Sequence, residues 1–288
     1  MLCEICGAEC ADWRLDSENV LDRCIRCGHV HRDLMRAPAG ARRHPWGGVG
    51  TFDRIRLALT WRSQERALVE VGLQVQDLLE IGFGAGLMMV RHLEQKRNVQ
   101  GSEAEMLERP AGDDLLQRIV HHGVPAEKLE LAPASLDLFY GIHVIEHLQD
   151  PRRVFAIAAS ALRPGGVVHF LTPAGDSAGL ENFGAAWWNL EDPTHIRFFS
   201  PESLRLALAE AGFEEISVRR PWWDSIGVEA ASSLRKLGIG AATEHGALGS
   251  GLGKLLLLAL MPVFVVMRAV APELRPSLEV IARRRADP

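Results

Sequence analysis

This chain has no overall surplus of positive charge. Its 288 residues hold 32 Lys and Arg against 37 Asp and Glu, a formal net charge of -5. That balance excludes a protein built mainly to coat nucleic acid. Cysteine is scarce too: five residues, four of them in two close pairs, are too few and too clustered for a disulfide framework. The uncharged run Leu255 to Met267 has thirteen residues and is interrupted by Pro262, short of the roughly 20 that a spanning helix needs. The start, Met-Leu-Cys-Glu-Ile-Cys, shows no basic region followed by an apolar core, so no signal peptide is expected. No internal repeat or low-complexity tract stands out. What is present is ordinary for a globular chain: 47% hydrophobic and 24% charged residues, enough for one large domain and a small accessory module.

The chain is organised around Asp77-Leu-Leu-Glu-Ile-Gly-Phe-Gly-Ala-Gly86. Leu78 to Ile81 reads as a short buried strand, and Leu87 to Lys96 as an amphipathic helix. Strand, glycine turn and helix begin a nucleotide-binding βαβ unit. Gly82, Gly84 and Gly86 let a ligand lie against bare backbone. Their spacing differs from the dinucleotide pattern G-x-G-x-x-G, and Glu80 precedes the first glycine by two residues. A pyrophosphate has no use for that acid, whereas a ligand with a cationic amino-acid end does. Val99 to Glu103 reads as the next strand, ending in a carboxylate that can accept from both ribose hydroxyls of a nucleoside. Arg118 to His121 and Leu136 to Ile142 are the third and fourth strands. In His143-Val-Ile-Glu146-His147-Leu-Gln-Asp150-Pro151, Asp150 caps a helix that starts at Pro151. Arg163-Pro-Gly-Gly166 breaks that helix, and Val167 to Thr172 is strand five.

The N-terminal residues carry a separate signal. Cys3-x-x-Cys6-Gly7 and Cys24-x-x-Cys27-Gly28 are two knuckles with seventeen residues between them. Four thiolates at this spacing make a closed tetrahedral zinc ribbon with no open position for chemistry. Cys10, His29 and His31 are spare donors. Residues 1 to 50 hold seven Arg and no Lys against seven acidic residues. A four-cysteine zinc centre adds about two negative charges, a poor footprint for phosphate. A structural or substrate-covering role is therefore expected of the ribbon.

The glycine stretch resembles motif I of the class I S-adenosylmethionine-dependent methyltransferases. Residues 143 to 151 resemble the block after strand four in the ubiquinone-biosynthesis-like branch, and Leu162-x-Pro-Gly-Gly166 and the block around His195 have counterparts there as well. The resemblance implies an α/β fold: a Rossmann-like seven-stranded methyltransferase sheet with an antiparallel last strand. Around it stand the small N-terminal zinc ribbon (1–35), a linker (36–50) and a helical insertion (221–276) before the last strand. The methyltransferase domain itself is 51–220 with 277–288. It implies S-adenosyl-L-methionine as cofactor, on Glu80, Gly82, Phe83, Gly84, Gly86, Glu103, Ile142 and His143; the cysteine knuckles add zinc as a structural metal on Cys3, Cys6, Cys24 and Cys27. It departs from the pattern at Val124-Pro125-Ala126-Glu127, where relatives show an adenine-binding Asp and Glu127 either substitutes or does not. Candidates for a base are His195 first, then His147 and His143.

Residues 173 to 199 read as a long loop over the acceptor, in which Trp187 and Trp188 form either an apolar wall or a local mini-core. Seven glycines between Gly227 and Gly253 give the insertion a mobile first half. Its apolar run, bracketed by Lys254 and Arg268, either dips into a membrane surface with Pro262 bending it, packs on its own domain, or forms a homodimer. The expected acceptor is a small molecule, a glycan or a lipid-linked group, in the cytoplasm or peripheral at the membrane, with no strong nucleic-acid signal. Two rivals remain: a zinc-ribbon RNA methyltransferase or RNA- or protein-binding module on the same scaffold, and an NAD-linked oxidoreductase, which the glycine spacing disfavours.

Overall fold

A computed structural model describes residues 1–38, 51–103, 114–239 and 251–286. Residues 39–50 of the linker stretch and 240–250 of the glycine-rich stretch lie outside them. In chain order the strands are β1 (Cys10–Arg14), β2 (Val20–Cys24), β3 (Val30–Arg32), β4 (Asp77–Ile81), β5 (Asn98–Ser102), β6 (Val120–His122), β7 (Leu136–Ile142), β8 (Leu162–Pro173), β9 (Arg197–Phe198), β10 (Phe213–Arg219) and β11 (Ser277–Arg284). The helices are α1 (Thr51–Glu70), α2 (Leu87–Glu94), α3 (Leu115–Arg118), α4 (Pro151–Ala161), α5 (Ala178–Phe183), α6 (Pro201–Glu210), α7 (Val228–Lys236) and α8 (Gly251–Val270).

The chain divides into two compact units. One holds Arg43–Thr172, Ser203–Arg219 and Glu279–Pro288. Its sheet has seven strands in the order β10-β11-β8-β7-β4-β5-β6. β6, β5, β4, β7 and β8 run parallel, and β11 pairs with β10 in the antiparallel sense. Strand order reverses between β4 and β7, the switch point outside which open α/β sheets bind ligands. The core on one face joins Leu78, Tyr140, Leu138 and Val167 of the sheet to Ala67 and Leu68 of α1 and Met88 and Met89 of α2. α4 begins where the sequence places it: Asp150 Oδ1 accepts from Arg153 N–H at 3.0 Å, with Pro151 in the first turn. A buried polar chain crosses the same core. Gln64 of α1 donates to His169 Nδ1 (3.1 Å), His169 Nε2 to Glu279 (3.0 Å), and Ser63 to the other oxygen of Glu279 (2.9 Å).

The other unit holds Met1–Arg42, Pro173–Glu202 and Arg220–Leu278. Its small sheet has the order β1-β2-β3-β9. The fourth strand comes from Arg197 and Phe198, far along the chain, which pair with His31 and Val30. Leu21 and Val30 of this sheet share a core with Leu180, Trp187, Leu190, Phe198 and Val228.

Four expectations change. The third strand is β6, because Arg118 ends the short helix α3 instead of opening a strand. Strand five begins at Leu162, since Leu162 already pairs with Leu136 before the register shifts. The loop 173–199 contains α5 and β9, and Trp187 is fully buried in the core just described, so of the two roles for this residue the mini-core is the one realised. The glycine-rich half of the insertion contains α7, whose Val228, Ala230, Ala231 and Leu234 are buried between Gly227 and Gly238.

Candidate active site

The turn after β4 is built so that only glycine fits. Gly82 has φ +59°, and a Cβ there would lie 2.5 Å from Val144, which follows β7 across the switch point. Gly86 has φ +72°, and its Cβ would meet Leu115. Gly82 N–H donates to Ser102 O at 2.7 Å, which ties the turn to the end of β5. One residue further on, Glu103 Oε2 accepts from Gly84 N–H at 3.1 Å. The acid and the glycines that the sequence separates by nineteen positions thus meet outside the carboxyl ends of β4 and β5. The Phe83 ring is buried, edge-on to His121 at 5.5 Å, so at this position it is the backbone that faces outward for a ligand.

Glu80 lies inside the sheet. It is register partner to Tyr140 on β7, whose hydroxyl donates to Glu80 Oε2 at 2.6 Å. Burial pushes the carboxyl up to about 8; the Tyr140 bond lowers it and the charge of Glu103 raises it further. The folded state therefore keeps a proton that the unfolded chain releases near 4.5, so stability is highest below 4.5, falls as pH rises from there, and the loss is complete at about 8. Glu80→Gln, which keeps an acceptor for Tyr140, is expected to match the parent below pH 4.5 and to exceed it by a few kcal/mol at pH 8. Urea denaturation of both proteins at several pH values checks this; a variant whose advantage over the parent is no larger at pH 8 than at pH 4 would contradict it.

Across the switch point, β7 ends at Ile142. His143 follows with φ +55°, an uncommon conformation for a residue with a side chain. Its N–H donates to Leu171 O (2.7 Å) and its Nδ1 stands 3.4 Å from Glu146 Oε1. Glu146 is fully buried and accepts from Thr172 Oγ1 at 3.0 Å. His147 stands in the turn before α4, with its N–H on Val144 O. In the stretch 124–127, where the resemblance implies an adenine-binding acid, Glu127 Oε1 accepts from Gln149 N–H at 2.8 Å.

In the other unit, His195 Nδ1 lies 2.7 Å from Asn189 O, so the proton sits on Nδ1 and Nε2 is the basic nitrogen, 3.9 Å from Asp192. Arg32 of β3 holds this segment: Nε donates to His195 O, Nη2 to Leu190 O and Nη1 to Asn19. The four cysteines of the knuckles converge here. Cys3 and Cys27 sulfurs are 3.7 Å apart, Cys6 and Cys24 3.4 Å, and all four lie within 4.8 Å of one another. A zinc tetrahedron with bonds of about 2.3 Å has edges of roughly 3.8 Å, so the donor set fits that ion. Gly7 and Gly28, both at φ +69°, close matched turns back to Cys3 O and Cys24 O. Cys10 stands outside this set. His29 binds Glu4 (2.8 Å), which also takes two bonds from Arg197 (2.7 and 2.8 Å).

The methyltransferase-domain family matches residues 52–218, more than half of the chain. The chain belongs to that family. This methyltransferase is 28% identical over 158 residues to the ubiquinone biosynthesis O-methyltransferase of Idiomarina loihiensis, covering 51% of this chain and 65% of the relative. It is 30% identical over 131 residues to the tRNA 5-carboxymethoxyuridine methyltransferase of Escherichia coli, covering 42% of this chain and 49% of the relative. The chain therefore spans less than two thirds of the length of either. Among solved structures, phosphoethanolamine N-methyltransferase 2 of Haemonchus contortus, in complex with S-adenosyl-L-methionine, shares the fold with a TM-score of 0.55 at 17% identity, over 78% of this chain and 53% of that one. The seven-stranded sheet with its antiparallel last strand is the Rossmann-like sheet of the class I S-adenosylmethionine-dependent methyltransferases.

Three parts of the methyltransferase were not legible as site residues. Tyr140 is the chain's single tyrosine, and in a strand it reads as core. Glu146 was visible only as part of an Glu-His pair, without its partner Thr172. Arg32 and Arg197 gave no local signal, since Arg32 reaches His195 and Leu190, and Arg197 reaches Glu4, across more than 150 residues.

Proposed function

We propose that this methyltransferase transfers the sulfonium methyl of S-adenosyl-L-methionine to an oxygen of a small-molecule, glycan or lipid-linked acceptor. The observation that carries the reading is the meeting of Gly84 N–H and the Glu103 carboxylate at the switch point. When bound, S-adenosyl-L-methionine supplies an electrophilic methyl. The Glu103 carboxylate takes the two ribose hydroxyls, adding charge-assisted O–H bonds to or in place of the one it accepts from Gly84 N–H. Gly82, Gly84, Gly86 and the Phe83 backbone let the ligand lie close, and Ile142 and His143 border its amino-acid end. Glu80 answers the ligand's ammonium: a positive charge nearby favours the carboxylate and draws off the proton that burial retains. The Nε2 of His195 is the nitrogen suited to take a proton from an acceptor hydroxyl; His147 and His143 are the other candidates.

In the same reading Cys3, Cys6, Cys24 and Cys27 hold one structural zinc ion. Four sulfurs leave it no open position, and the sheet it staples carries Arg32, which fixes the His195 segment. Cysteines spaced for a metal site and not for a disulfide framework suit a reducing compartment, the cytoplasm.

A second reading, methylation of RNA, is favoured by the match to the tRNA methyltransferase. The net charge of -5 and the neutral N-terminal 50 residues speak against it. Incubation with methyl-tritiated S-adenosyl-L-methionine and a fractionated cell extract separates the two. Label in the organic-soluble or low-molecular-weight fraction is expected; label confined to ribonuclease-sensitive material would replace the first reading by the second.

A further inference from the structure

The apolar run of the insertion is one helix of twenty residues, α8, and the count of thirteen uncharged residues understates it. At 1.5 Å per residue it is about 30 Å long, so length no longer forbids it from crossing a membrane. Its inner face forbids it instead. Leu257 packs on Ala230, Ala231 and Leu234 of α7, with Leu256, Leu260, Met261 and Phe264 around it. At its far end Arg268 is buried, held by both oxygens of Glu229 at 2.6 Å and by the carbonyls of Trp222, Asp224 and Ser225. A helix that left α7 to span a bilayer would strand Glu229 and uncover the apolar face of α7.

The outer face is apolar as well. Leu252, Leu255, Leu258, Val263, Val266 and Val270 are between 48% and 80% exposed. At 3.6 residues per turn they fall within an arc of about 140°. From Gly251 to Ala271 there is no acidic residue, and the exposed charge is Lys254, at the margin of that arc, where a lysine stem lies along apolar surface with its ammonium in water. Trp222, half exposed, lends its carbonyl to Arg268 and so stands at the other end of the helix, a residue type that favours the headgroup level.

We propose that α8 lies flat in the surface of an anionic lipid bilayer, its outer face among the acyl chains and Lys254 and Trp222 among the headgroups. A second copy of the chain is the weaker occupant. A strip about 30 Å long and 10 Å wide offers roughly 300 Å², against the ~800 Å² per partner of a stable complex. A lipid surface has no such threshold, and binding there grows with buried apolar area and with basic charge. The proposal concerns a surface apart from the methyl-transfer residues and stands or falls without them.

Co-sedimentation with vesicles tests it, using phosphatidylcholine alone and phosphatidylcholine with about one third phosphatidylglycerol. The protein is expected to sediment with the mixed vesicles and more weakly with the neutral ones. Leu255→Glu/Val266→Glu, at two exposed positions, is expected to lower the partition coefficient about tenfold or more with circular dichroism unchanged, and Lys254→Glu to remove the preference for anionic lipid. Leu255→Ser/Val266→Ser repeats the test without new charge. Wild-type protein that stays in the supernatant with both vesicles overturns the proposal. So does a pair of variants that sediment like wild type, or whose one effect is to split a dimer in the ultracentrifuge.

Discussion

Replacing Cys24 and Cys27 together by serine is expected to release zinc and to unfold the small sheet. β1, β2 and β3 are five, five and three residues long, too short to hold one another without a staple. Structural zinc contributes on the order of 10 kcal/mol to folding in small zinc peptides, part of it spent on ordering the chain. Even a third of that would lower the midpoint of this unit by about 10 °C. The loss should reach beyond the ribbon. β9 pairs with β3, and Arg32 holds the carbonyls of His195 and Leu190. Amide exchange is therefore expected to rise at residues 189–199 as well as at 1–33. The parent should contain one zinc per chain by elemental analysis. A zinc-free parent, or a serine variant with unchanged melting and exchange, contradicts this.

Breaking the Glu229–Arg268 pair should be the next most costly change. Both side chains are almost wholly buried, and the guanidinium is surrounded by the pair's two carboxylate oxygens and three carbonyls. Glu229→Ala leaves a buried cation with carbonyls alone and is expected to cost about 3–5 kcal/mol. Arg268→Met leaves a buried carboxylate and should cost about as much. The double replacement removes both charges, so its cost should fall well below the sum of the two, with about 1–3 kcal/mol remaining for the uncapped carbonyls. Chemical denaturation of the four proteins reads the cycle. Additive single costs would show that the two side chains do not depend on each other.

How far the sequence reveals this molecule depends on whether the cause is local. Asp150-Pro151 is a cap and a first turn within four residues, and α4 starts there. The glycines at 82, 84 and 86 were legible because a turn against bare backbone leaves its mark in residue type, and so were the cysteine pairs. β9 was not legible. Two residues, Arg197 and Phe198, become a strand only because β3 offers them an edge. The thirteen-residue run understates α8 because charged residues bracket it; Lys254 lies on the helix margin and Arg268 is buried by Glu229, a partner nothing nearby announces. Trp187 illustrates a third kind of ambiguity. A tryptophan on a loop serves a wall or a core equally well, and only the neighbours Leu21, Leu180 and Val228 decide it.

The most direct test is a calorimetric titration with S-adenosylhomocysteine of the parent chain and of Glu103→Ala. The account places the ribose on a carboxylate that already stands 3.1 Å from Gly84 N. It predicts one site per chain in the parent and a loss of about 1.5–3 kcal/mol in the variant, the range for a hydrogen bond with a charged partner. No binding by the parent, or equal affinity in the two proteins, would contradict it.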